Sequence, residues 1–372
     1  MEKQSFGKDF MRLHVIGLPH TITSEKFACC AFTQKVLKFC KMMKNRGHYV
    51  IHYGHEFSNV VCDEHVTTLT NDEWMSSYSN NDTNKYFYGY DITDRAYEIF
   101  CDRAIKSISE RKQPNDFLLP FWGSGVKSIY QAHSDMIVVE PGIGYDKVCD
   151  IIPYKVFESY AIYHAYRGLK SVGACNQNWY EVVIPNYFDL NDFEYKNNKQ
   201  DYLLFLGRVY SGKGVKLAQE IAIKTNKKLI IAGQLANENS NVVESHPNIE
   251  YVGSVGIEER NKLLSNAKAL IAPSCYVEPF GGVQVEALLC GTPTITTDWG
   301  AFAENNVNGI TGYRCRTFKD FLDAVDNIDS IEPSVCREHG ERFSTENVSV
   351  MYEKYFQDLL NLYITKEGWY AL

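Results

Sequence analysis

A chain of 372 residues with 45% hydrophobic residues and a net charge of −8 is long for one domain, so two domains with sizeable cores are expected. The acidic balance gives no electrostatic basis for holding a nucleic-acid backbone, and no apolar run approaches the roughly 20 residues of a membrane helix. Eleven scattered cysteines without a Cys-x-x-Cys pair, and ten histidines without His-x-x-x-His spacing on a helical stretch, point to reduced thiols and no zinc site.

In chain order, Met1–Phe10 lacks the pattern of a signal peptide, and a soluble, cytoplasmic protein is expected. Leu13–Gly17 reads as a strand. The spacing of Phe27, Cys30, Ala31, Val36, Leu37, Cys40 and Met43 predicts a helix over 26–46 that stops at Gly47. His48–Tyr53 is the next strand, and 58–91 is polar and irregular, most loop-like at Asn80–Asn84. A helix over Asp94–Arg111 leads to the apolar Phe117–Pro120, and Met136–Val139 is a further buried strand. One helix is expected over Tyr154–Tyr166, closing on Gly168, before a last strand at Glu181–Ile184. Repeated strand–helix–strand units with near-continuous apolar strands predict a parallel, doubly wound α/β sheet.

Residues 189–201 are polar, lack periodicity and read as a linker. The alternation then restarts with strand Tyr202–Leu206, helix Gly214–Thr225, strands Lys228–Ala232 and Ile249–Val252, and helix Ile257–Ala267. Strand Ala269–Ala272, a helix after Gly282 and strand Thr294–Thr297 follow. Two Rossmann-like units in tandem leave a central cleft between the carboxyl ends of their strands.

Two segments of the second unit carry chemistry. Strand 202–206 runs into Gly207-Arg208-Val209-Tyr210-Ser211-Gly212-Lys213-Gly214, a glycine-rich turn whose Arg fork and Lys point charge suit a diphosphate. The turn is nearly a P-loop, Gly-x-x-x-x-Gly-Lys-[Ser/Thr], but Gly214 stands where the magnesium-binding hydroxyl belongs. Glu278-Pro279-Phe280-Gly281-Gly282-Val283-Gln284-Val285-Glu286 places two carboxylates either side of a glycine pair at a helix start, where unpartnered amides and the dipole favour an anion. A nucleotide-sugar, with a hydroxylated ring at each end and phosphates between, fits that order. The bland alternatives stay open on the residues alone: Glu286 paired with a nearby Arg, Glu278 a solvated loop residue, and the 207–214 turn a plain βα connection. No Asp-x-Asp triplet occurs, which weakens any mechanism with a carboxylate-held cation.

These segments, with Val183-Ile184-Pro185-Asn186, Gly291-Thr292-Pro293, Trp299–Glu304, Gly309–Gly312 and Phe343–Val348 in the same order, resemble the retaining GT-B glycosyltransferases of family 4, the group 1 glycosyltransferases. The resemblance covers roughly 180–363 well and 1–180 by topology alone, and the whole chain is similar to compact members encoded by large algal viruses, which would place it in the host cytoplasm. It implies an acceptor-side domain over 1–187, a donor domain over 188–355 and a final helix, about 356–372, crossing back onto the first. It also implies transfer of a sugar, with mannose from GDP-mannose the first expectation and a UDP-sugar the other, to a glycan or other hydroxyl acceptor, with no cofactor and no metal. By resemblance, Arg208 and Lys213 bind the donor diphosphate and Glu278 holds the transferred sugar, making these three the catalytic candidates. Glu286 takes the ribose hydroxyls, Val255 lies by the base, and Gly207, Pro279, Phe280, Gly281, Gly282 and Val283 line the donor.

The departures lie in the first domain, where Gly17-Leu18-Pro19-His20-Thr21 replaces the family's Gly-Gly loop and Glu140 replaces a common His. His20 and Glu140 are therefore open between acceptor-side and structural roles. A P-loop-like NTPase and a non-catalytic nucleotide-sugar-binding protein are the alternatives, and a homodimer is left open.

Overall fold

The computed structural model describes residues 10–27, 30–78, 89–145, 148–170, 179–235 and 242–366. The first half runs β1 (Arg12–Ile16), α1 (Ala31–Asn45), β2 (Tyr49–His55), β3 (Glu64–Leu69), α2 (Asn71–Tyr78), α3 (Arg95–Arg111), β4 (Phe117–Pro120), α4 (Lys127–Ala132), β5 (Ile137–Ile143), β6 (Tyr154–Phe157), α5 (Tyr160–Lys170) and β7 (Glu181–Val183). The second runs β8 (Tyr202–Leu206), α6 (Val215–Lys224), β9 (Lys228–Ala232), β10 (Ile249–Gly253), α7 (Ile257–Asn266), β11 (Ala269–Ala272), α8 (Gly282–Leu289), β12 (Thr294–Thr297), α9 (Phe302–Asn305), β13 (Gly312–Cys315), α10 (Phe318–Asn327) and α11 (Pro333–Glu341), before the long α12 (Thr345–Thr365).

The first half forms a seven-stranded sheet in the order β3-β2-β1-β4-β5-β6-β7, the second a six-stranded sheet in the order β10-β9-β8-β11-β12-β13. The paired strands are parallel in both. In each sheet the strand order reverses beside its first strand, so a crevice opens at the carboxyl ends of β1 and β4, and of β8 and β11. Gly17–His20 follows β1, Gly207–Gly214 follows β8 and Pro273–Glu278 follows β11. Chain order thus delivers the candidate turns to the crevices.

Two expectations fail locally. Tyr154–Tyr166 is not one helix: Tyr154–Phe157 is β6, hydrogen-bonded between β5 and β7, and α5 starts only after Ser159, whose Oγ accepts from Ile162 N at 3.1 Å as a helix cap. The apolar residues of that stretch satisfy helical and strand spacing alike, and sheet pairing decides. Within 58–91, Glu64–Leu69 joins the sheet edge as β3 and Asn71–Tyr78 is helical. Thr70 begins that helix in a reciprocal Thr–Glu cap, its amide donating to Glu73 Oε2 at 2.9 Å. Asn80–Asn84 lies outside the described residues.

The crossing helix starts earlier than expected. Phe188 N donates to Phe343 O and Thr345 N to Phe188 O, both at 2.9 Å, where the chain passes between the halves. From there α12 sends Val348, Tyr352, Tyr355, Phe356 and Leu359 into the first domain's core beside Phe39 and Phe117. Among the described residues no helix is long and apolar enough to cross a membrane. Other bonds also tie the halves: Glu304 takes the amides of Tyr160 at 3.0 Å and Ala161 at 2.7 Å at the start of α5, and Ser159 Oγ donates to Pro279 O at 2.5 Å.

Burial holds two histidines of the first half neutral. Burial lowers His20 from 6.5 to about 4, and burial with the neighbouring His65 lowers His52 to about 3. The folded values lie below the unfolded ones, so the unfolded chain takes up protons first as pH drops. Stability is therefore complete above about 6.5 and falls through the window from 6.5 to about 4, by about 2 kcal/mol per group at pH 5. Glu140, raised by burial to about 7, opposes this between 4.5 and 7 with one carboxyl against two imidazoles. Urea titrations at pH 7 and pH 5 should show a lower unfolding midpoint at pH 5; equal midpoints would contradict neutral burial.

Candidate active site

The turn after β8 is shaped by close backbone approach. A Cβ on Gly233 would stand 1.8 Å from the Gly207 carbonyl oxygen, which keeps β8 and β9 in contact where the chain leaves the sheet. Ser211–Lys213 closes a 3-10 turn and Gly214, at φ +75°, starts α6. A Cβ there would meet Pro273 O at 2.0 Å. The Ser or Thr of a P-loop has no room at this position, so the missing hydroxyl is a consequence of the turn's geometry.

Lys213 reaches from this turn to Glu278. Its Nζ donates to both carboxylate oxygens at 2.9 Å, and Ser274 Oγ donates to Oε2 at 2.9 Å. Glu278 is 6% exposed, so it is not the solvated loop residue of the bland account. Its backbone is clamped from the other side: Ala301 N donates to Glu278 O at 2.8 Å, and Gly300, at φ +62°, leaves no room for a Cβ against Glu278 N. Arg208 lies with its guanidinium 5.8 Å from the Tyr210 ring. From the first domain, Tyr145 feels the charges of both Arg208 and Glu278, which places its phenol at the same end of the cleft.

Helix α8 begins after Gly281, whose φ is +76°, with no side chain capping it. The Phe280 ring is buried among Phe188, Phe343 and Val285, so Phe280 has only its backbone to offer a ligand. Asn305 Nδ2 fixes that backbone by donating to Phe280 O at 2.8 Å. Val283 and Val255 pack against the same apolar cluster of the second half, and of the two only Val283 lines the cleft cavity.

Glu286 has the partner that a buried carboxylate needs. Arg260, on α7, donates to its Oε2 from Nε at 2.7 Å and also from Nη2. Both bonds use one oxygen, and Oε1 has no hydrogen bond among the described residues. Glu286 lines a cavity of about 210 Å³ between the two halves, together with Glu278, Pro279 and Gly281–Val283. Across that cavity stand Lys35, Lys38, Tyr145 and Glu158 of the first domain.

The structure thus gathers Glu278, Pro279, Phe280, Gly281, Gly282, Val283 and Glu286 on one wall, with Lys213 on Glu278. His20 and Glu140 are not on it. His20 Nδ1 is hydrogen-bonded to Tyr97 Oη at 2.6 Å in a box of Tyr90, Tyr97 and Trp122. Glu140 lies within β5 and accepts from Gly123 N and Cys149 N, both at 2.9 Å, pinning two loops together.

Residues 188–345 match the family model described as glycosyl transferases group 1. The match lies within the second half of the chain. Over 158 residues the chain is 30% identical to an uncharacterized glycosyltransferase, MJ1607, of Methanocaldococcus jannaschii, covering 36% of this chain. That match spans only 40% of the archaeal relative's own length. The fold extends further than the sequence likeness. AviGT4, a glycosyltransferase involved in avilamycin A biosynthesis, superposes with a TM-score of 0.65 over 97% of this chain and 100% of its own, at 17% identity. HepE of Anabaena, in a structure with UDP and glucose, superposes with a TM-score of 0.63 over 93% of this chain and 99% of its own, at 13% identity. Both halves are therefore arranged as in GT-B glycosyltransferases. Within the matched residues the glycine-rich turn and the Glu-x7-Glu segment are the parts readable from sequence. Arg260 and the first-domain lysines carry no motif and were not among the expected site residues.

Proposed function

We propose that the protein is a retaining glycosyltransferase of family 4 type that moves a sugar from a nucleotide-sugar to a hydroxyl acceptor entering from the first domain. The observation that carries this is the uncapped start of α8 standing between two carboxylates on a cavity wall, with Glu286 keeping Oε1 available. The ribose takes Glu286, the diphosphate takes the α8 amides with Arg208 and Lys213, and the sugar reaches Glu278. The acceptor oxygen attacks the anomeric carbon from the face the leaving diphosphate occupies. The bond from that carbon to the phosphate oxygen breaks, and the acceptor's proton passes to the departing phosphate. Two cations and a helix start offset the diphosphate charge, so a metal is not required. Glu278, bonded by Lys213 and Ser274, serves as a hydroxyl acceptor for the sugar rather than a nucleophile.

GDP-mannose is the first donor to try, followed by UDP-sugars. Calorimetric titration of these donors into the wild-type protein and Glu286→Ala tests the proposal, with loss of the ribose contact weakening binding roughly 10- to 100-fold.

A further inference from the structure

Helix α1 turns two lysines towards the cleft, and their surroundings differ. Lys35 is committed: its Nζ donates to Gly142 O at 2.9 Å and pairs with the Glu158 carboxylate. Lys38 is not. Its ammonium lies 4.5 Å from the centre of the Phe188 ring, and among the described residues no carboxylate comes within ion-pair distance.

The acidic groups around Lys38 are largely engaged elsewhere. Glu286, the strongest attraction it feels, is held by Arg260, whose own charge repels it. Asp189 accepts from Lys41 at 2.7 Å, and Asp192 lies on the same short turn with its carboxyl raised by burial. Burial lowers the Lys38 ammonium from its ordinary range. Lys38 lines the interdomain cavity facing Gly281, Gly282 and Val283. One wall therefore offers a half-buried ammonium and the opposite wall the N–H groups of a helix start; both are donors, and the space between suits an anion.

We propose that Lys38 is a donor-phosphate ligand supplied by the first domain, binding the phosphate nearer the ribose when the ribose lies on Glu286. This rests on the donor site proposed above. Arg208 and Lys213 hold the diphosphate from the second domain and Lys38 from the first, so the ligand's own charge draws the halves together. Affinity then depends on the phosphates far more than on the nucleoside.

The test is calorimetry of UDP and GDP, each beside its free nucleoside, on the wild-type protein, Lys38→Met and Lys38→Arg. Lys38→Met keeps an unbranched stem of the same length and removes the ammonium, including its contact with the Phe188 ring. It is expected to weaken the preferred diphosphate roughly 10- to 100-fold, as for one lost charge-assisted hydrogen bond, and to leave the nucleoside unchanged. Lys38→Arg is expected to retain most of the diphosphate affinity. Unchanged diphosphate affinity in Lys38→Met, or equal weakening of diphosphate and nucleoside, overturns the proposal; the second pattern is that of a purely structural lysine. A wild-type protein that binds neither diphosphate fails the donor site itself, a result distinct from either.

Discussion

Lys213→Ala is expected to lower turnover of the nucleotide-sugar by roughly 10²- to 10³-fold, the effect of removing one preorganised donor from developing charge. Lys213 has two tasks that a single substitution removes together. Its ammonium sits at the glycine-rich turn, where the proposed donor site puts the charge of the leaving diphosphate, and it donates two of the three 2.9 Å bonds that hold the Glu278 carboxylate in place. Without it, a carboxylate that is 6% exposed keeps Ser274 Oγ but loses its cation, so Glu278 is displaced or protonated and the sugar loses its anchor. Release of nucleoside diphosphate from the preferred donor is the readout. The fall should appear in kcat, with nucleoside affinity kept, because Glu286, the proposed ribose contact, lies about a turn inside α8 and is held by Arg260 rather than by Lys213. Turnover within about threefold of wild type would show that the turn is a plain βα connection.

Gly214→Ser, which would complete the P-loop pattern, is expected to destabilise the fold without conferring magnesium-dependent nucleotide hydrolysis. The residue sits at φ +75°, where a side chain costs about 1–2 kcal/mol, and its Cβ would lie 2.0 Å from a backbone carbonyl that cannot swing aside. Backbone displacement adds about 1–3 kcal/mol, for a total of roughly 2–5 kcal/mol. For a domain of this size that is a fall in Tm of roughly 5–20 °C. Gly168→Ala is the control, since it has neither positive φ nor any atom within 4 Å of a Cβ, and its Tm should stay near wild type. A Gly214→Ser protein that melts like wild type would contradict the geometry, and one that hydrolyses ATP or GTP with magnesium would revive the P-loop alternative.

The second half was far more legible in the sequence than the first, for reasons visible in particular residues. Gly207, Gly214 and Gly281 are punctuation that only special backbone positions require, and each takes positive φ. Their spacing from charged residues along one segment therefore encodes the wall of the site. Glu286 shows the limit of such local reading: its partner Arg260 is 26 positions away on another helix, and nothing in Ile257–Asn266 marks one Arg as special. The pairing with a nearby Arg, one of the two readings open on the sequence, is present, and it engages one carboxylate oxygen while leaving the other for a ligand.

Lys35 and Lys38 were hidden differently. With Lys41 and Lys44 they recur every three residues, a spacing that winds around α1 and singles out none of the four. Contacts far away in sequence separate them: Lys35 turns in on Gly142 and Glu158 of its own domain, Lys38 lies over Phe188 where the halves meet, and Lys41 and Lys44 remain outside on Asp189 and Asp63. The same holds for β6, whose alternation is short enough to pass for helix until β5 and β7 flank it.

Binding of nucleotide-sugars in the presence of a metal chelator, compared between the wild-type protein and Glu286→Ala, bears most directly on the central claim. At least one of GDP-mannose, UDP-glucose and UDP-N-acetylglucosamine should bind the wild-type protein without a divalent cation, and Glu286→Ala should bind it roughly 10- to 100-fold more weakly. No binding by any of them, or equal binding by Glu286→Ala and by Arg208→Ala, would contradict a donor site on this wall of the cleft.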